Sequence, residues 1–88
     1  MTTRRVRITA HNGAHARPVA ELARLALDFG RPVSVRTETG AVADVGSVLA
    51  VMDLGLGEGE TVVLETADAP GAEALLESMA EVLAPRPF

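Results

Sequence analysis

Cysteine, tryptophan and tyrosine are absent from this sequence, and phenylalanine occurs only twice. Without cysteine neither a disulfide framework nor a thiolate metal site can form. So few aromatic rings leave no platforms on which nucleic-acid bases could stack, and a net charge of −4 disfavours binding to a phosphate backbone. Lysine is missing too: all eight basic residues are arginine, a compositional bias with no functional weight. No run approaches the roughly 20 apolar residues that span a bilayer, and Met1-Thr2-Thr3-Arg4-Arg5 lacks the apolar centre of a secretory signal. A cytoplasmic address without membrane insertion is the expectation.

What is present suffices to fold. The chain has 88 residues, 48% of them hydrophobic, with a mean hydropathy of +0.23, which predicts one domain over 1–88. A core this small leaves functional groups on the surface rather than in a deep cleft. Arg5-Val6-Arg7-Ile8-Thr9 alternates as a half-buried strand does, with Val6 and Ile8 on the core side. Val19 to Leu27 follows a helical period, burying Val19, Leu22, Ala23 and Ala26 and exposing Arg17, Glu21, Arg24 and Asp28. Leu25 and Leu27 fall off the centre of that stripe. Gly30 ends the helix and Arg31-Pro32 prevents its continuation.

Two short alternating runs, 33–37 and 41–45, flank Glu38-Thr39-Gly40 and predict a β-hairpin. Ser47 is suited to cap a short helix through Asp53, its hydroxyl accepting from the amide of Ala50 or Leu49. In that helix Val51 and Leu54 are expected to point inward. Val48, Leu49 and Met52 share the outward side, either as an apolar interaction patch or with one of them completing the core. The glycines of 55–59 follow a helix and open a strand, Glu60 to Thr66, so they are turn residues rather than a nucleotide loop. Asp68-Ala69-Pro70 is read as the start of the last helix, with Ala72, Leu75, Leu76, Met79 and Leu83 at helical spacing and Glu73, Glu77 and Glu81 on a solvated row. The residues from Pro85 to Phe88 are expected to form a loose tail.

The order strand, helix, strand, strand, helix, strand, helix predicts a two-layer α+β domain with its helices on one face of a four-stranded sheet. Pattern does not fix the strand order.

The most informative stretch is Asn12-Gly13-Ala14-His15-Ala16-Arg17-Pro18. Pro18 is tolerated only in the first turn of a helix, so the helix begins close to Ala16 and His15 lies at or beside its N-cap. The open amides and partial positive charge of a helix N-terminus favour an anion and disfavour an imidazolium, which predicts a neutral, nucleophilic ring at His15. Arg17 adds a planar cation matched to phosphate oxygens. A nucleophile, free amides and an arginine at one helix mouth suit a phosphoryl group held covalently on the imidazole. The ordinary role for such a histidine is a solvated loop residue.

Gly13-Ala14-His15-Ala16-Arg17-Pro18 resembles the Gly-x-His-x-Arg-Pro motif of the HPr family, the histidine-containing phosphocarriers of the bacterial phosphoenolpyruvate-dependent sugar phosphotransferase system. The segment from Gly46 to Leu56 is similar to that family's serine-led second helix and following turn. The resemblance implies an open-faced sandwich, a four-stranded antiparallel sheet under three helices. It implies a carrier rather than a stand-alone catalyst: His15 accepts phosphate on Nδ1 from phosphorylated enzyme I and passes it to sugar-specific enzyme II components. The amides of Ala16 and Arg17 and the Arg17 side chain would stabilise the phosphate. Val48, Leu49 and Met52 would contact partners, and the protein is expected to be a monomer without cofactor. Ser47 matches a serine that kinases phosphorylate in many relatives, but Gly46 stands where a basic residue often precedes it, so the capping role is preferred.

His11 lies four residues before His15, but Asn12-Gly13 separates them, so a metal site is not expected and His11 is read as a solvated neighbour. Two other classes compete with the carrier. A purely regulatory relative would lack the nucleophilic histidine, and an enzyme using His15 as general base would need a pocket and a second titrating group that the motif does not offer. A carrier serving a nitrogen-related or kinase-linked relay shares every feature above.

Overall fold

A computed structural model describes residues 1–10 and 16–85. Its elements run β1 (Thr2–Arg7), α1 (Ala16–Phe29), β2 (Val33–Thr37), β3 (Val42–Asp44), α2 (Val48–Asp53), β4 (Thr61–Thr66) and α3 (Ala72–Leu83). The strands form one antiparallel sheet in the order β1-β4-β2-β3, so the hairpin of β2 and β3 is joined to β1 through the late strand β4. All three helices cover one face, α3 packing on β1 and β4, α2 on β3, and α1 against both other helices.

Alternation decides which strand residues meet the helices. Val6, Val62, Leu64, Val33, Val35 and Ala43 are buried against them, together with Ile8 and Val45 just beyond their strands. From α1 the predicted stripe of Val19, Leu22, Ala23 and Ala26 closes over the sheet, while Leu27 is 71% exposed and Leu25 packs half-buried at the margin. Burying a side chain such as Val19 or Leu22 contributes roughly 1.5–3 kcal/mol relative to leaving it in water. α3 adds Leu76, Met79 and Leu83. Among the described residues Thr66 is the buried polar one, and its hydroxyl donates to the carbonyl of Pro32 at 2.9 Å.

Several boundaries differ from the sequence expectation; β1 ends at Arg7 rather than Thr9, and β4 begins at Thr61 rather than Glu60. β1 begins at Thr2, not Arg5, because its pairing with β4 extends to Thr2 opposite Thr66 and needs no apolar alternation there. The second hairpin strand is the shorter Val42–Asp44, although the amide of Val45 still donates to the carbonyl of Val33 at 2.8 Å. The last helix starts at Ala72 after Gly71, whose φ of 84° and ψ of −2° form a left-handed cap. Asp68 instead accepts from the Met1 amino group at 2.9 Å and the Thr2 hydroxyl at 2.7 Å. The Met1 bond, the larger influence, and the Thr2 bond hold the Asp68 carboxyl below its usual pKa. Of the expected tail only Pro85 is among the described residues, and it is exposed outside α3.

Candidate functional site

The histidine singled out by the motif, His15, lies outside the described residues, as do His11, Asn12, Gly13 and Ala14. What the structure describes is the helix that His15 immediately precedes. α1 opens on Ala16, so Ala16, Arg17 and Pro18 make its first turn, as the proline demands. A first turn has no preceding carbonyls to accept its amides, and Pro18 has none to offer, so the open donors are those of Ala16 and Arg17. Both residues are exposed.

The charge on α1 is arranged unevenly. Arg24 is held by two acidic neighbours: its Nη2 and Nε donate to the Glu21 carboxylate at 2.5 and 3.2 Å, and its Nη1 donates to Asp28 at 3.0 Å. The hydrogen bond from Arg24 lowers the Glu21 pKa, and the same bond raises that of Arg24. Arg17 has no ion-pair partner among the described residues. The cation in the first turn is therefore available to an incoming anion, while the cation two turns on is not. This distinction was not drawn from the sequence, although the three- and four-residue spacings of Glu21, Arg24 and Asp28 carry its signal.

The second predicted component is α2, which packs beside α1. Ser47 caps it from an extended conformation, its hydroxyl accepting from the amide of Ala50 at 3.2 Å. Gly46 donates to the Asp44 carboxylate at 2.9 Å, and a Cβ at Gly46 would come within 3.3 Å of that same oxygen. Val51 is buried and Leu54 packs half-buried on the core. Val48, Leu49 and Met52 are exposed by 37, 73 and 41%, so none of the three completes the core. The alternative that the sequence left open is thus decided in favour of surface positions.

Among the described residues no group of three or more histidine, aspartate or glutamate side chains is placed to hold a metal ion, and no helix is long and apolar enough to cross a membrane. The arrangement is a surface one: open amides and a guanidinium unpaired among the described residues at a helix mouth, with a neighbouring short helix presenting apolar side chains.

Comparison with known proteins gives a consistent result. Residues 2–84 match the family model described as the PTS HPr component phosphorylation site. The chain is 42% identical over 84 residues to the phosphocarrier protein HPr of Streptomyces coelicolor, covering 96% of this chain and 89% of that protein. It is 35% identical over 83 residues to the phosphocarrier protein HPr of Vibrio cholerae, covering 94% and 95% respectively. Among solved structures, a phosphocarrier protein HPr from Bacillus anthracis superposes with a TM-score of 0.83 at 27% identity, covering 93% of this chain and 95% of that one.

Proposed function

The chain belongs to the HPr family of phosphotransferase-system phosphocarriers, and from that membership we propose that His15 is its phosphoryl acceptor, charged by phosphorylated enzyme I and discharged to enzyme II components. The observation that carries the proposal is the continuity of the motif with the first turn of α1: His15 is bonded to Ala16, the first helical residue, and Arg17 follows with its guanidinium unpaired among the described residues.

In the forward step Nδ1 of neutral His15 attacks phosphorus in line, forming a P–N bond as the P–N bond to the donor histidine of enzyme I breaks. The Nδ1 lone pair forms the new bond while the ring proton stays on Nε2, and the donor ring, already protonated on its other nitrogen, keeps the electrons of the broken bond and departs as neutral imidazole. The amides of Ala16 and Arg17 and the Arg17 side chain stabilise the equatorial oxygens, where charge accumulates during transfer. Transfer to an acceptor repeats the step in reverse at the same exposed mouth. Val48, Leu49 and Met52 form the apolar contact with partners, small enough for the complex to dissociate between transfers. The apparatus is independent of any cofactor, one domain spans 1–88, and the carrier acts as a monomer in the cytoplasm. Ser47 serves first as the cap of α2; a phosphate added there would place negative charge in the docking surface.

The test is direct. Mixed with enzyme I and phosphoenolpyruvate, the wild-type chain should gain one acid-labile, base-stable phosphate by intact mass. His15→Ala should gain none while lowering its thermal midpoint by no more than about 4–8 °C, the shift that the roughly 1 kcal/mol typical of a lost helix cap produces in a chain of this size. Phosphorylation retained by that variant would overturn the assignment.

A further inference from the structure

β1 is an edge strand, and its outward side is built differently from the surface around α1 and α2. Ile8 donates to the carbonyl of Glu60 at 2.8 Å, continuing the ladder of β1 and β4. Hydrogen-bonded pairs alternate in an antiparallel ladder, so Val6, Arg4 and Thr2 direct their backbone groups at β4. The N–H and C=O groups of Thr3, Arg5 and Arg7 consequently point outward, and no strand pairs with them among the described residues.

The side chains of these same three residues stand on the open face of the sheet, opposite buried Val6. Arg5 and Arg7 have no ion-pair partners among the described residues, whereas Arg36 on that face is held by Glu65 at 2.8 Å. Along the edge runs a groove of about 200 Å³, bounded by Arg4, Arg5, Val6 and Arg7 of β1, by Ala80 and Glu81 of α3 and by Ala84 just after it. The two alanines leave room for small apolar side chains.

An exposed edge with paired arginines repels a second copy of itself. Antiparallel addition of another β1 would set Arg5 and Arg7 opposite or diagonal to their counterparts, and like charges so placed are destabilising. The same charges favour a strand carrying carboxylates at alternate positions. We propose that the free edge of β1 is a docking site for an extended acidic segment of a partner protein. That segment adds as a fifth strand, its carboxylates meeting Arg5 and Arg7 on the open face and its intervening small apolar residues meeting Ala80 and Ala84. Because α2 packs at the β3 end of the sheet, this edge lies across the molecule from the Val48, Leu49 and Met52 surface. The two surfaces can be occupied together.

The test uses the full chain, 15N-labelled, with the synthetic peptide acetyl-Glu-Val-Glu-Ala-Glu-Val-Glu-amide at low ionic strength. At saturation the amides of Thr3, Arg5 and Arg7 should exchange with solvent on the order of tenfold more slowly, and those of Ala16 and Leu49 should be unchanged. Arg5→Glu with Arg7→Glu should weaken peptide binding by roughly tenfold or more. Arg5→Gln with Arg7→Gln, checked by thermal melting, should also weaken it, which guards against misfolding of the charge-reversed chain. Three results would each overturn the proposal: no protection of those amides at millimolar peptide, an equal response to the same peptide with lysine in place of glutamate, or protection by the chain alone at high concentration.

Discussion

Arg17 and Arg24 lie about two turns apart on the same helix, both exposed, yet only one of them is occupied. Arg24 spends its guanidinium on Glu21 and Asp28, whereas Arg17, in the first turn, has no acidic partner among the described residues. The difference is one of spacing. An acid three residues before and another four residues after place carboxylates on the same face as Arg24. Glu21 also lies four residues after Arg17, but its carboxylate is engaged by Arg24. Among the described residues, what distinguishes a free charge from a paired one on this helix is therefore which neighbour has already claimed the carboxylate.

The largest effect expected from breaking this contrast is at Arg17. If the proposed site is right, Arg17→Glu would set a carboxylate beside the incoming phosphoryl group and should slow transfer from enzyme I by roughly two orders of magnitude or more, while the fold persists. Arg24→Glu makes the same change of charge farther along the helix, and its rate should stay within a few-fold of wild type. Single-turnover transfer measured on both variants decides the matter; equal losses would show that only the overall charge of α1 counts.

A second contrast lies on α2, where Leu49 and Val51 are separated by a single residue and differ from 73 to 1% exposed. Leu49→Asp should weaken association with enzyme I yet shift stability by about 0.5 kcal/mol or less. Val51→Asp would bury a carboxylate without a partner, costing several kcal/mol, a large share of the stability of a chain this size. Thermal melting and binding measured on the same two proteins separate docking from core. An Asp at position 49 that melts the chain would remove Leu49 from the proposed contact.

These contrasts also mark what could be read beforehand. The buried stripe of α1 follows from the spacing of Val19, Leu22, Ala23 and Ala26, because a helix has one face to bury and its period is fixed. The Ser47 cap follows from local chemistry, since the hydroxyl and the Ala50 amide are three residues apart. By contrast, Thr2 to Arg4 carry no apolar alternation, and their strand conformation comes from β4, some sixty residues away in sequence. The start of α3 was misplaced because Gly71 caps it by backbone conformation, without a side-chain signal, and Asp68 is drawn to the N-terminus instead. Strand order is likewise a long-range result. At the candidate site the position of Arg17 in the first turn was legible from Pro18. Its lack of an ion-pair partner among the described residues was not, because that depends on the competition among Glu21, Arg24 and Asp28.

The smallest effect is the most specific check of that competition. The hydrogen bond from Arg24 is the main reason the Glu21 carboxyl titrates below its usual range. A carboxyl whose pKa is depressed by folding stabilises the folded state above its unfolded pKa, about 4.3 for glutamate. That contribution is lost as the pH falls through the lower folded value. Stability should therefore fall slightly more steeply below about pH 4.3 in the wild type than in Glu21→Gln. The effect is small because the pair is exposed and screened by salt. NMR titration resolves it without relying on stability: Arg24→Gln should return the Glu21 carboxyl toward its ordinary pKa, whereas Arg17→Gln should leave it depressed. If instead Arg17→Gln moves the Glu21 titration as far as Arg24→Gln does, the two arginines share the carboxylate in solution. The first-turn guanidinium would then have to be released from Glu21 before it could hold a phosphoryl group.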